Sequence, residues 1–391
     1  MFGVRLKHLL LTNQQRVYQG DLGKIQTPLD RYLRKLHKTK ITECVTTIHL
    51  TGRALQYLEE STHSLKVKDR VCLSKINISK TMRWNNLTQP SEFILLGLSS
   101  RAEDQKPLFI LFLTIYLVTL VGNVVIILAI YSDSHLQTPM YFFLSILSFV
   151  DICYTTVIIP KMLVNFLAEE KTISYSECLI QMYFFLAFGN IDSYLLGAMA
   201  IDRYVAICNP FHYITTMSHK FCVLLLIISF LIPFLHSLLH VHLVNRLKFC
   251  ASNIIRHFFC DVNPMLKLSC SSTFVNEIVI KTEGLSVIMT PVMCIIISYL
   301  RILIAVLKIP SAAGKYKAFS TCGSHLTVVA LFYGSISYVY FQPLSSYTVR
   351  DRIATLFYTI LTPMLNPFIY SLRNKDMKQG LVKLIVRIKS Q

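Results

Sequence analysis

From Lys106 onward the chain alternates long apolar stretches with short polar connections. Seven of the stretches approach the about 20 residues that a helix needs to cross a hydrocarbon layer of roughly 30 Å. The pattern predicts spans over 107–130, 141–163, 180–203, 220–243, 276–304, 318–341 and 352–371. Pro233, His236, His240 and His242 interrupt the fourth stretch, and Ser and Gly dilute the sixth, so six and eight spans remain alternative counts. The expected fold class is an all-α membrane protein, a seven-transmembrane helix bundle. Past the last span, Met377, Leu381, Leu384, Ile385 and Ile388 share one helical face of 375–389 with lysines opposite, which predicts a short interfacial C-terminal helix. No internal repeat points to an inverted-repeat transporter.

Composition agrees with lipid as the solvent, since 53% of residues are hydrophobic and only 15% charged. The formal charge of +18 could suggest a nucleic-acid partner, but its placement argues otherwise. Residues 1–84 hold 16 Lys/Arg against 6 Asp/Glu, a net +10, which leaves +8 for the membrane portion. No nucleic-acid partner is expected; the bilayer is. Two regions follow: an atypical basic extension, 1–84, and a membrane domain, 85–391. A segment so basic crosses a membrane poorly and lacks an apolar signal core, so the mature protein is expected to begin near Met82.

Orientation comes from the basic flanks. Segment 301–317 carries Arg301, Lys308, Lys315 and Lys317 without an acid, and the tail carries six basic residues against Asp376. These belong on the cytoplasmic side, which leaves the amino terminus extracellular. The basic segment 244–273 would then face out, against the trend. An outside amino terminus exposes the glycosylation sequons at Asn77 and Asn86.

Candidate chemistry is sparse. No H-E-x-x-H, G-x-S-x-G or glycine-rich phosphate loop occurs, so an enzyme is not expected. His236, His240 and His242 have spacing that could ligate a metal from one helix, but with no partner acid nearby they read as packed histidines. Asp151 and Asp192 are acids inside apolar spans, an expensive placement; a transporter or channel using them is the rival reading. Asp202 beside Arg203 at a span boundary can hold a local ion pair in one state and release the guanidinium in another. The eleven cysteines contain no C-x-x-C. Cys178, Cys250, Cys260 and Cys270 fall in connections, where three pairings are open to them on an oxidising face.

Five strings narrow these readings: Leu136-Gln137-Thr138-Pro139-Met140-Tyr141, Pro160-Lys161-Met162-Leu163, Met199 to Cys208, Lys317-Ala318-Phe319-Ser320-Thr321-Cys322, and Pro363 to Tyr370. In this order the chain resembles the olfactory receptors, a branch of the rhodopsin-like G-protein-coupled receptors, from about Asn86 to Lys389. It departs from the family pattern at Ile201, where Tyr is usual, and at Asp192, where Glu is usual. The resemblance implies a plasma-membrane receptor for small odorants, coupled to a stimulatory olfactory-type heterotrimeric G protein that raises cyclic AMP, with no cofactor. It implies disulfides Cys178–Cys260 and Cys250–Cys270. It makes Asp202, Arg203 and Tyr204 the switch and Asn366, Pro367 and Tyr370 the seventh-span hinge, with Asn366 satisfying the carbonyl that Pro367 frees. Asp151, Asp192 and Asn123 would lie together, where a sodium ion could neutralise the acids. Ligand contacts are expected from two stripes: Phe185, Leu186, Gly189, Asn190 and Ser193 on the third span, and Tyr333, Ile336, Ser337 and Tyr340 on the sixth.

Overall fold

The computed structural model describes residues 90–99, 101–250, 252–340 and 349–389. Asn77, Asn86 and the basic extension lie outside the described residues, as do the side chains of Lys317, Tyr340 and Ile388. The long helices are α1 (Ala102–Ser132), α2 (Pro139–Leu167), α3 (Tyr175–Cys208), α4 (His219–Asn245) and α5 (Phe274–Leu307). Then come α6 (Ala312–Tyr340), α7, built from Val349–Leu356, a π turn Phe357–Leu361 and Thr362–Arg373, and α8 (Lys375–Lys389). A helix lies over each of the seven expected stretches, and among the described residues six are long and apolar enough to cross a membrane; residue 341, the last expected in the sixth, lies outside the described residues. Hydropathy marks only the lipid-facing middle, whereas local chemistry sets the ends. At α3 a capping box does so: the Ser174 hydroxyl accepts from the Glu177 amide, and the Glu177 carboxylate accepts from the Ser174 amide. At α2, Pro139 occupies the first turn, where its missing N–H costs nothing.

Helix α3 is the axis of the bundle, packing against α2, α4 and α5, while α1 lies on α2. The outer surface is apolar. On α4, Leu224, Ile227, Leu231, Leu235 and Leu238 are each half exposed or more. In water each such side chain would forgo roughly 1.5–3 kcal/mol of burial, so a continuous band of them requires hydrocarbon around it.

Three short strands at one end were not predicted. Strand β1 (Glu92–Leu95) lies between β2 (Thr172–Ser174), which pairs with it antiparallel, and β3 (Ile254–Ile255), which pairs with it parallel. Phe93, Leu95, Ile173 and Ile255 are buried beneath this sheet with Cys178 and Cys260. Strands of four, three and two residues are too short to show a period of two.

At the opposite end α8 is docked rather than free. Gly380 allows the approach: a Cβ there would lie 2.5 Å from Leu136 Cδ1. Lys383 Nζ donates to Asp133 Oδ2 at 2.8 Å, and that bond, with the His135 amide, holds the Asp133 carboxyl below the usual range. Met377 and Leu384 are buried, but Ile385 is 53% exposed and does not join their face. It sits one residue beyond the i, i+4, i+7 series from Met377, about 100° round the helix, where it points outward with Val382 and Val386.

Candidate functional site

Three layers of polar and aromatic groups run down the bundle axis from the sheet to α8. In the layer nearest the sheet, Phe185 on α3 stacks on Tyr154 of α2 with ring centroids 5.6 Å apart and meets Phe259 of the long connection at 4.5 Å. Cys178 and Cys260 are bonded, with Cα atoms 5.4 Å apart, which pins that connection to the start of α3. Gln181 strengthens the attachment, donating to the Val157 carbonyl and accepting from the Cys260 amide. Cys250 and Cys270 are bonded within the connection itself. Asp261 caps the short helix Val262–Leu266, and burial lifts its carboxyl to about 6.

Below this lid the two predicted stripes meet at one point. The hydroxyls of Ser193 and Tyr333 are 2.5 Å apart, joining α3 to α6. Gly189 leaves room for the Tyr154 hydroxyl, 3.2 Å from where a Cβ would stand. Asn190 turns its amide N–H back to the Leu186 carbonyl of its own helix. Leu186 and Ile336 are half-buried against the core, as is Ser337. An open cavity of about 360 Å³ lies elsewhere, between α6 and α7, lined by Gly334, Ser335, Tyr338, Ile353, Ala354 and Phe357. None of the predicted ligand residues borders it, and Tyr338, Ile353 and Phe357 belong to the outward-facing surface.

The middle layer gathers buried polar side chains from α1, α2, α3 and α7. Pro367 lacks an N–H and so frees the Pro363 carbonyl. Asn123 of α1 takes that carbonyl at 3.2 Å, not Asn366 as expected. Asn366 instead donates to Asp151 Oδ2 at 2.8 Å. The exchange has a steric cause. Gly122 seats Pro367 against α1, with a Cβ position 3.2 Å from its ring, which brings Asn123 to the kink, while the one carboxylate on α2 claims Asn366. Asn123 Oδ1, Asp151 Oδ1, Asp192 Oδ1, Asn366 Oδ1 and the Tyr370 hydroxyl are buried without a hydrogen-bond partner. So many unmatched oxygens are expensive in a low-dielectric interior.

In the layer near α8, Asp202 is 1% exposed and accepts a hydrogen bond from the Tyr213 hydroxyl at 2.7 Å. Arg203 points toward α2, where its Nη2 meets the Met140 sulfur. The Asp202–Arg203 ion pair anticipated for one state is thus replaced by a tyrosine bond from the next connection. Tyr204 packs with Ile302, Val306 and Cys322, a small apolar seam between α3, α5 and α6.

A second tether in this layer was missed from sequence. His325 of α6 donates from Nε2 to the Leu196 carbonyl of α3 at 3.0 Å, since a carbonyl can only accept. Its Nδ1 must then accept, and the Tyr299 hydroxyl of α5 lies 2.8 Å away. One imidazole therefore ties three helices together. Tyr299→Phe removes the α5 arm at nearly constant volume and is expected to raise ligand-independent output roughly fivefold, the equivalent of about 1 kcal/mol for one hydrogen bond. Basal reporter activity normalised to surface receptor checks this; unchanged basal output refutes it.

A family model described as olfactory receptor matches residues 112–388. Olfactory receptor 1L1 of Homo sapiens is 78% identical over 325 residues, 82% of this chain and 90% of that protein. Olfactory receptor 1L3 of Homo sapiens is also 78% identical, over 79% of this chain and 96% of its own length. Olfactory receptor 1f45 of Rattus norvegicus is 54% identical over 78% of this chain and 97% of its length. Among solved structures, a crystal structure of squid rhodopsin aligns with a TM-score of 0.61 at 19% identity, covering 74% of this chain and 87% of that one, a likeness of fold.

Proposed function

Because this chain belongs to the olfactory receptor family, we propose that it binds a small volatile ligand inside the helix bundle and activates a stimulatory olfactory-type G protein, raising cyclic AMP. The observation that carries the reading is the Ser193–Tyr333 contact, which joins α3 to α6 under the Phe259 lid. A ligand that intrudes there meets aromatic walls from Phe185 and Tyr154 and a few polar atoms from Ser193, Asn190 and Tyr333. That is the composition expected of a site for small apolar molecules. Ser337 extends it along α6. Screening an odorant panel against the receptor with a cyclic AMP reporter tests the reading; silence across the panel at normal surface expression counts against it.

Binding acts on a two-state equilibrium, shifting population by the difference in ligand affinity between the states. Helices α5 and α6 part at the Arg203 end, breaking the His325 tether, and the segment from Lys308 to Lys317 meets the G protein. The amino terminus then lies outside, with Asn86 and Asn77 as glycosylation sites, and the carboxyl terminus is cytoplasmic. Residues 85–391 form the receptor domain of a multi-pass plasma-membrane protein. In the middle layer a sodium ion would suit Asp151, Asp192 and Asn123, since a hard cation takes oxygen donors and each of these residues holds an unmatched one. Its charge would offset the two carboxylates.

Tyr333→Phe is expected to weaken ligand potency roughly fivefold, as the loss of one hydrogen bond worth about 1 kcal/mol requires. Dose–response curves give the shift. Unchanged potency for every active odorant would remove Tyr333 from the site.

A further inference from the structure

His236 and His240 stand four residues apart on α4, so both rings project from one face, their centroids 4.4 Å apart. His242 lies off that face and is exposed. The acid absent from the neighbouring sequence arrives from another helix. Glu283 of α5 places both carboxylate oxygens 2.9 Å from His236 Nδ1 and one of them 3.4 Å from His240 Nε2. Both imidazoles are nearly fully buried, and the carboxylate is one-third exposed.

The local backbone serves this meeting. Residues Ile280–Gly284 form a π turn, whose extra residue re-aims the side chains it carries. Gly284, next to Glu283, sets the α5 backbone against the pair: an added Cβ would lie 3.8 Å from His236 Cε1 and 3.9 Å from His240 Nε2. The three donor atoms all fall within 4.8 Å of one another. Around a four-coordinate zinc with bonds of about 2.0–2.1 Å, donors stand about 3.3 Å apart, so the observed separations of 2.9 and 3.4 Å need only small adjustments.

We propose that His236, His240 and Glu283 form a binding site for a divalent transition cation that joins α4 to α5. Two imidazoles and a carboxylate favour zinc over the hard cations, which take oxygen alone. The site is separate from the odorant stripes and from the oxygen-lined middle layer.

The test uses full-length receptor without a polyhistidine tag, purified in detergent, stripped with chelator and titrated with zinc chloride alone. Metal content read by mass spectrometry is expected to reach one zinc per chain, to be lost in His240→Ala and Glu283→Gln, and to persist in His242→Ala. Glu283→His deletes the carboxylate yet restores a third nitrogen donor, so it should regain zinc, which an ion pair serving structure alone does not predict. Equal zinc in wild type and His240→Ala, or none in wild type, overturns the site. Should the variants fail to fold, the wild-type melting temperature decides: it rises with zinc chloride and returns with chelator, and a midpoint unmoved by zinc overturns the proposal.

Discussion

Arg203→Ala is expected to reduce odorant-evoked cyclic AMP to background while leaving surface receptor near the wild-type level. The two halves of that expectation rest on separate features. Arg203 is 9% exposed, and its neighbour Asp202 is engaged by Tyr213, so the guanidinium is buried against Met140 without the carboxylate expected to balance it. Burying a charge without a hydrogen-bonded counter-ion is costly, so its removal relieves a desolvation penalty. Alanine should therefore spare the fold. What it removes is a planar cation at the end of the bundle where α5 and α6 are proposed to part, the group best suited to meet acceptor oxygens on a partner. Arg203→Lys keeps the charge but not the fork, and should recover only part of the signal. Flow cytometry gives the surface level and the reporter gives the output. Full signalling by the alanine variant would remove Arg203 from the switch.

The bundle itself was legible because each span is a contiguous apolar run, a local property that needs no knowledge of neighbours. Asp202, Arg203, Asn366 and Pro367 were legible as residue strings, though their partners were not. What escaped were contacts between distant segments that no residue string marks. Glu283 lies 47 positions from His236 and 43 from His240, so sequence distance hid the acid that completes their cluster. Asn123 and Pro363 meet across 240 positions, which made Asn366 look like the natural partner for the freed carbonyl. His325 gave no signal beyond being a histidine in a span, because its role needs Tyr299 and Leu196 from two other helices. Phe259 escaped because it sits in a basic connection, whose burial becomes evident only once Cys260 is fastened to Cys178. Ile385 departs in the other direction: the face drawn from period alone took in a residue that α8 leaves 53% exposed.

Removing the Cys178–Cys260 bond should be the most damaging change in the half of the molecule that carries the sheet. Between the end of α4 at Asn245 and Cys260 the chain has no helix to hold it, and β3 has only two residues to pair with β1. Linking residues 82 positions apart is worth roughly 4–5 kcal/mol in chain entropy, more than a two-residue strand supplies. Cys260 also delivers its amide to Gln181 and holds Phe259 over Phe185, so the lid over the α3 stripe depends on this one link. The Cys250–Cys270 bond closes a much shorter segment, 20 positions, and since both its ends lie within the connection it anchors nothing to the bundle. Cys260→Ser is therefore expected to cut surface receptor several-fold and abolish odorant response, whereas Cys270→Ser should lower expression while leaving measurable signalling. The double variant Cys178→Ser/Cys260→Ser should match Cys260→Ser; a milder double variant would assign the damage to the stranded thiol of Cys178 instead. Normal expression and potency in the double variant would show that sheet and aromatic packing hold the lid without the bond.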